Sequence, residues 1–189
     1  DVLTEAFGVR YMHDEALVAL PELLDKLGID KPVLVGHSDG GSIALIYAGG
    51  AGRNVAGLIL MAPHVFVEDI SIASIAQAKV AFETTDLGQK LGKYHRDPVK
   101  TFRGWNDIWL HPDFRAWNIE EVLPHVTCPV LAIQGEDDEY GTPAQVEAIR
   151  RQAKGEVEVL MLADCRHSPH KDQPQATLEA MAEFIERIG

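Results

Sequence analysis

The sequence predicts an α/β fold: a mostly parallel sheet flanked by helices, with a helical lid inserted between two of its strands. Short apolar runs typical of strands alternate with longer segments whose apolar residues recur at helical spacing. Parallel strands need long crossover connections, and the helices of those crossovers cover both faces of the sheet. With 189 residues, 46% of them hydrophobic and 24% charged, the chain can form one globular domain with a buried core.

The first predicted element is a helix from Met12 to Leu27. Its leucines recur at helical spacing, at positions Leu17, Leu20, Leu24 and Leu27. Pro21 lies inside this helix and predicts a kink, because proline lacks the N–H group that a helix interior needs. Gly28 follows as a stop signal.

Four short apolar runs predict the strands of the sheet. Each is four or five residues long, which is a usual length for a buried strand. The runs are Pro32–Val35, Gly57–Met61, Val130–Ile133 and Val157–Met161.

Three further helices are predicted between or after these strands. The first runs from Ser42 to Ala48 and is stopped by the Gly49-Gly50 pair. The second runs from Pro143 to Ala153, with its proline in the first turn. The last helix begins near Pro174 and carries one apolar face, which is formed by Leu178, Met181, Phe184, Ile185 and Ile188.

The stretch from His64 to Pro124 contains no predicted strand, although only a short connection is needed there. It holds all three tryptophans and four of the phenylalanines: Trp105, Trp109, Trp117, Phe66, Phe82, Phe102 and Phe114. A mainly helical insertion of this size predicts a cap or lid over a binding site, although its aromatic residues can equally form a small core of their own. We therefore expect a partial core (residues 1–63 and 125–189) and a cap (residues 64–124).

The composition argues against several classes of partner. A formal net charge of −12 disfavours binding to nucleic acid and to anionic membrane surfaces, because these are also negative. Cys128 and Cys165 form neither a metal motif nor a disulfide framework, which favours a reducing, cytoplasmic setting. No apolar run reaches membrane-spanning length, and the first residues do not show a basic region followed by a small-residue cleavage site. Because the first residue is not methionine, we expect a fragment or a processed product.

The most specific motif is Gly36-His37-Ser38-Asp39-Gly40, which follows the first predicted strand and precedes a helix. In this context the pattern predicts a sharp turn that exposes the serine hydroxyl at the carboxyl end of the sheet. Both outer glycines are expected to be required, because a side chain there would collide with the neighbouring strand or helix. Ser38 is the predicted nucleophile, and the backbone N–H of Asp39 is the predicted oxyanion donor.

A serine hydroxyl is a weak nucleophile and needs a base and an acid beside it. His167 follows the fourth strand and is the predicted base, with His170 as the competitor three residues later. The acid is expected after the third strand, where Asp138 is the first candidate and Asp137 the second. Two minor candidates follow the second strand: Glu68 and Asp69.

Three segments resemble the α/β-hydrolase superfamily, in its esterase, lactonase and carbon–carbon hydrolase branch. They are Gly36–Gly41, Gln134–Asp138 and Cys165–Pro169, and the resemblance spans the chain from about Met12 to Ile188. The resemblance implies a two-step mechanism on a small-molecule acyl substrate, in which His167 carries the proton and water releases the acyl group from the enzyme. It implies neither a metal nor an organic cofactor. The serine nucleophile differs from the aspartate of haloalkane dehalogenases.

The chain departs from this family before the first helix. The family has about four strands and a helix there, and a loop among them donates the second oxyanion N–H, which nothing before Ser38 is expected to supply. The strand Pro32–Val35 is then expected at a sheet edge with unpaired backbone groups. The sequence therefore predicts either an N-terminally truncated hydrolase or a chain that completes its sheet by pairing, as in a homodimer joined at this edge.

Two functions are consistent with these observations. The first is a serine hydrolase that cleaves a carboxylic ester or a related acyl bond. The alternative is a truncated or non-catalytic hydrolase-like chain that serves as a binding or assembly protein. His37, His64, Trp105 and Trp109 are candidate pocket residues, and for His64 a structural role is the preferred interpretation.

Overall fold

The computed structural model describes residues 6–189 and contains a sheet of four parallel strands in chain order. Val33 pairs with Gly57 at the start of the first two strands, and the later strands continue in the same sense. The strands are β1 (Val33–His37), β2 (Gly57–Met61), β3 (Val130–Gly135) and β4 (Val157–Leu162).

Helices precede, connect and follow these strands. The α-helices are α1 (Tyr11–Asp14), α2 (Leu20–Leu27), α3 (Asp39–Gly50), α4 (Asp69–Thr84), α5 (Leu87–Leu91), α6 (Pro98–Trp109), α7 (Ala144–Gln152), α8 (Pro169–Asp172) and α9 (Pro174–Ile188). Two 3₁₀-helices, Pro112–Ala116 and Glu120–His125, lead from α6 to β3. The predicted fold class, a parallel sheet flanked by helices, is confirmed.

The core lies on both faces of the sheet. Leu58 and Leu60 of β2 belong to the larger of two apolar clusters, whereas Ile59 and Met61 belong to the smaller one. Because successive side chains of a strand point to opposite faces, this division places one cluster on each side of the sheet. All five residues of β2 are buried, as expected for an interior parallel strand.

The first helix is less regular than its leucine spacing predicts. A π-helical turn, Glu15–Ala19, separates α1 from α2. This turn lies just before Pro21, whose missing N–H interrupts the α-helical hydrogen-bond ladder. Gly28 ends the helix in the left-handed conformation, with φ of 66°, which is the geometry that glycine adopts most easily.

Two predicted details at helices are wrong. Helix α3 includes the Gly49-Gly50 pair, which was expected to stop it. A Cβ atom at Gly49 would lie 2.4 Å from the carbonyl oxygen of Val122. Glycine at this position serves the close approach of two backbones and does not stop the helix. In α9, Leu178 and Ile185 were expected on the apolar face, yet they are 62% and 46% exposed, whereas Phe184 is buried.

The stretch between β2 and β3 is helical and contains no strand among the described residues. One isolated antiparallel β-bridge joins Phe66 to Asn118. Its aromatic residues do not form one separate core. Trp109, Phe114 and Trp117 pack into the larger cluster of the main core, whereas Phe82 stacks on Phe102 at 4.1 Å within the insertion.

Strand β1 lies at one edge of the described sheet. It pairs with β2 on one side, and within residues 6–189 no strand pairs with its other side. Val35 is 50% exposed there. The edge position matches the expectation, and pairing with a second chain stays a prediction.

Two classes of feature are missing from residues 6–189. None of the helices combines the length and the apolar character needed to cross a membrane. The same residues contain no cluster of three or more His, Cys, Asp or Glu side chains arranged to hold a metal ion.

Candidate active site

Ser38 occupies the turn between β1 and α3. Its backbone has φ of 55° and ψ of −122°, a conformation that L-residues seldom adopt outside functional sites. A Cβ atom at Gly36 would lie 2.2 Å from the carbonyl oxygen of Gly40, so glycine is required at Gly36. The same expectation for Gly40 is wrong, because a Cβ atom there would meet nothing within 4 Å apart from its chain neighbours and the backbone of its own helix.

Three predicted residues lie in one hydrogen-bonded line. The Nε2 atom of His167 is 2.9 Å from the Oγ atom of Ser38. The Nδ1 atom of the same ring is 2.9 Å and 3.1 Å from the two carboxylate oxygens of Asp138. The arrangement has the spacing that a nucleophile, a base and an orienting acid require.

Two donors besides His167 hold the Asp138 carboxylate. The backbone N–H of Tyr140 donates to Oδ1 at 2.8 Å, and the Nε2 amide of Gln134 donates to Oδ2 at 2.8 Å. Asp138 is only 7% exposed, so these bonds orient it inside the protein. Gln134 was not singled out from the sequence, although it opens the Gln134–Asp138 segment.

The loop that carries His167 is anchored on two sides. The Nε2–H of His37 donates to the backbone carbonyl of His167 at 2.7 Å, and the backbone N–H of His167 donates to Glu139 at 3.1 Å. Burial and the neighbouring His167 lower the pKa of His37 below its usual value, although its bond to the carbonyl opposes this. His37 therefore holds the loop that carries His167 and also forms part of the cavity wall.

The competing candidates lie away from this line. His170 is exposed on α8. Glu68 accepts hydrogen bonds from the backbone and the hydroxyl of Thr142, at 2.9 Å and 2.6 Å, and joins the start of α4 to the loop after β3. Asp69 forms a surface ion pair, and Asp137 contacts the loop after β4 through its backbone N–H.

A cavity of about 290 Å³ opens next to Ser38. All four predicted pocket residues line it: His37, His64, Trp105 and Trp109. The sequence did not point to four other lining residues, namely Ile75, Glu139, Tyr140 and Ser168. Aromatic and polar walls around a serine fit a small organic ligand with a few hydrogen-bonding groups.

A buried chain of hydrogen bonds ties the insertion to the turn at Ser38. The Tyr11 hydroxyl donates to Oδ2 of Asp39 at 2.5 Å, and the indole N–H of Trp109 donates to the same hydroxyl at 3.1 Å. Burial raises the pKa of Asp39, and burial together with the Asp39 carboxyl raises the pKa of Tyr11. Sequence reasoning missed Tyr11, since its only signal was a place near the start of an amphipathic helix.

The backbone N–H of Asp39 is the first of helix α3, with Ser38 as the preceding cap residue. The first N–H groups of a helix have no acceptor inside it and carry the positive end of the helix dipole. Before Ser38, the described residues form α1, the π-helical turn, α2 and β1, with no further strand.

Several solved structures resemble this chain at low sequence identity. An esterase from Thermogutta terrifontis has a TM-score of 0.70 at 20% identity, with 100% of this chain and 75% of that chain covered. A carboxylesterase structure from Nitrososphaera gargenis has a TM-score of 0.75 at 18% identity and coverages of 97% and 73%. Est816, described as an N-acyl homoserine lactone degrading enzyme, has a TM-score of 0.63 at 21% identity and coverages of 96% and 77%. At these identities the likeness shows the fold.

A search of the curated proteins found no match to this chain. The model of the Alpha/beta hydrolase family matches residues 6–180, which is most of the chain. This match confirms the resemblance that the three sequence segments indicated. The chain therefore belongs to the alpha/beta hydrolase family.

Proposed function

We propose that this protein is a serine hydrolase that cleaves a carboxylic ester or a related acyl bond through an acyl-enzyme. The observation that carries the proposal is the line of contacts from Ser38 through His167 to Asp138, each 2.9 Å long at its shortest. Family membership supports hydrolysis as the reaction class.

In the first step, His167 Nε2 takes the proton of the Ser38 hydroxyl as Oγ attacks the carbonyl carbon of the substrate. The bond from that carbon to the leaving oxygen then breaks, and the alcohol leaves with the proton that His167 held. In the second step, water gives a proton to His167 and attacks the acyl-enzyme. The acid departs, and Ser38 regains its proton.

Asp138 is the residue that orients the base in this mechanism. Its carboxylate accepts the Nδ1–H of His167, which leaves the lone pair of Nε2 directed at Ser38. The negative charge also stabilises the imidazolium that forms during each step. The donors on Asp138 from Gln134 and Tyr140 keep the carboxylate in place.

The Asp39 N–H is the proposed oxyanion donor, because it begins α3 directly after the nucleophile. A single donor stabilises the tetrahedral intermediate less than two donors do. Loss of one such donor costs on the order of 10²–10³ in rate. A chain that uses Asp39 alone is therefore expected to turn over slowly.

Residues 64–124 form the proposed cap on a core made of residues 1–63 and 125–189. Ile75, Trp105 and Trp109 of this stretch line the cavity beside Ser38, which supports a cap that helps to enclose the substrate. The cavity volume of about 290 Å³ favours a small-molecule substrate with a short acyl group.

A second candidate function, assembly through β1, has one observation in its favour. The edge strand exposes half of Val35 and leaves backbone groups available for a strand from another chain. A homodimer joined at this edge would leave the catalytic residues unchanged. Sedimentation at several protein concentrations tests it, and a monomer throughout would exclude it.

Hydrolysis of a panel of p-nitrophenyl esters with acyl chains of different length tests the enzymatic proposal. We expect the wild-type protein to release p-nitrophenol fastest from short esters and Ser38→Ala to lose this activity. Thr84→Ala removes an exposed hydroxyl in the cap and serves as the matched control. Equal rates for wild type and Ser38→Ala would contradict the assignment of the nucleophile.

A further inference from the structure

His64 is held rigidly beside the nucleophile. It follows β2 by three residues, and its backbone is bonded twice to the buried Ser42 of α3. The Ser42 hydroxyl donates to the carbonyl of His64 at 2.6 Å, and the backbone N–H of His64 donates to the Oγ atom of Ser42 at 3.2 Å. These bonds hold the backbone from which the imidazole ring projects.

The ring forms part of the inner wall of the cavity. It packs edge-on against Trp109 at 5.0 Å between centroids and lies 5.7 Å from the ring of His167. His64 is 3% exposed, and its neighbours in the wall, Trp109 and Ile75, are 1% and 2% exposed. Other lining residues, such as Glu139 and Trp105, are only partly buried and lie nearer the solvent.

The hydrogen-bonding groups of this ring are not used by the described protein. Nδ1 of His64 is buried and has no partner within residues 6–189. Nε2 is the less enclosed nitrogen and likewise bonds to none of those residues. Buried polar groups are usually paired, and an unpaired one in a binding cavity is satisfied when a ligand supplies the partner.

The environment of His64 favours an uncharged partner. Burial, together with the nearby rings of His167 and His37, lowers the pKa of His64 to about 3, and Asp138 opposes this shift. The imidazole is therefore neutral near pH 7 and offers one donor and one acceptor. A hydroxyl can pair with a neutral imidazole nitrogen, whereas none of the residues that line this cavity is a lysine or an arginine that would pair with a carboxylate.

We propose that His64 is a specificity-determining residue that hydrogen-bonds a hydroxyl group on the acyl part of the substrate. This inference rests on the proposed serine hydrolase function and narrows its substrates to short, uncharged hydroxyacyl esters. The acyl part stays attached to Ser38 through both steps, whereas the alcohol leaves after the first. The enclosed end of the cavity, where His64 lies, therefore suits the acyl part.

Two matched substrate pairs test the proposal: methyl 3-hydroxybutyrate against methyl butyrate, and methyl lactate against methyl propionate. Acid release at constant pH gives kcat/KM for each ester. We expect wild type to prefer at least one hydroxyacyl ester over its partner by about five- to tenfold, which is the effect of one neutral hydrogen bond. His64→Leu should reduce the ratio to about one, and His64→Gln, which keeps a donor and an acceptor, should retain part of it.

Ile75→Val is the control for changes in cavity shape. It alters the same inner wall without removing a polar group, so the hydroxyacyl preference should persist. A wild-type ratio near one for both pairs would overturn the proposal, as would an unchanged ratio in His64→Leu.

A binding measurement separates this inference from the proposed function. In Ser38→Ala, titration with the same methyl esters reports affinity without turnover, followed by the NMR signals of the indole N–H groups of Trp105 and Trp109, which line the cavity and are present in both variants. Tighter binding of the hydroxyacyl ester, lost in Ser38→Ala/His64→Leu, supports the role of His64 even if wild type hydrolyses no ester. Efficient hydrolysis by wild type with equal binding of both esters overturns the role of His64 and leaves the hydrolase function intact.

Discussion

The buried histidine in the cavity wall predicts a specific dependence of stability on pH. The unfolded chain protonates His64 near pH 6.5, whereas in the folded protein its pKa is lowered to about 3. Between these values a proton binds the unfolded state and not the folded one. Acidification from pH 6.5 towards pH 3 therefore lowers the free energy of unfolding, and His64→Leu removes this contribution.

The size of this effect follows from the pKa difference. Each pH unit within the interval changes the free energy of unfolding by about 1.4 kcal/mol for one such group. Between pH 7.5 and pH 5, protonation of His64 in the unfolded chain lowers the free energy of unfolding by about 2 kcal/mol. Nearly all of this decrease falls below pH 6.5, because little protonation occurs above that pH. The ring is almost completely enclosed, so solvent does not weaken the effect.

Urea denaturation of wild type and His64→Leu at pH 7.5, 6.5, 5.5 and 5.0 measures this quantity. We expect the free energy of unfolding to fall by about 2 kcal/mol more in wild type than in His64→Leu between pH 7.5 and pH 5.0. His95→Gln, which removes an exposed histidine, should follow the wild-type curve. Parallel curves for wild type and His64→Leu would refute a buried, neutral His64.

Three further predictions concern the serine site and the turn that carries it. Asp138→Asn should lower kcat by a factor on the order of 10³–10⁴, since the amide disfavours the required His167 tautomer, while the circular dichroism spectrum stays unchanged. A loss below tenfold would contradict the role of Asp138 in orienting His167. Tyr11→Phe leaves Asp39 and Trp109 without their shared partner and should cost about 1–3 kcal/mol in urea denaturation, whereas an unchanged midpoint would show that the pair is unimportant. Gly36→Ala should yield little folded protein, whereas the free energy of unfolding of Gly40→Ala should lie within about 1 kcal/mol of the wild-type value. Equal melting temperatures for the two variants would contradict the clash at Gly36.

Local patterns were enough to predict the order of strands and helices. The four apolar runs became β1 to β4 with shifts of two residues or fewer at their ends. The pattern is clearest for β2 and β3, because an interior parallel strand is buried on both faces and is therefore apolar along most of its length. Gly36, Ser38 and the strand before them likewise defined the turn, since strand, glycine and helix follow one another directly in the chain.

Contacts between distant parts of the chain were not predictable from local patterns. Gln134 supports Asp138 and Tyr11 binds Asp39, yet glutamine and tyrosine have many other roles at such positions. Gly49 shows the same limit, because the backbone that approaches it belongs to a segment some seventy residues later. For Leu178 and Ile185, apolar spacing alone did not show which side of α9 meets the sheet.

The position of His64 also needed the folded structure. As a lone histidine after a strand it was expected to be structural, and its bonds to Ser42 are consistent with that expectation. The structure adds that its ring lines the same cavity as Ser38 with its nitrogens unpaired within the described residues. The burial of His64 and its place in the wall of this cavity depend on how β2, α3 and α6 pack in the folded protein.

Labelling with a fluorophosphonate tests whether Ser38 is an activated nucleophile. Intact-mass spectrometry followed by peptide mapping would report one covalent adduct and its position. We expect a single adduct on Ser38 in wild type, none in Ser38→Ala, and much slower labelling in His167→Ala, because the base that accepts the serine proton is missing. Folded wild-type protein that remains unlabelled, or an adduct on another residue, would contradict the role of Ser38 as the nucleophile.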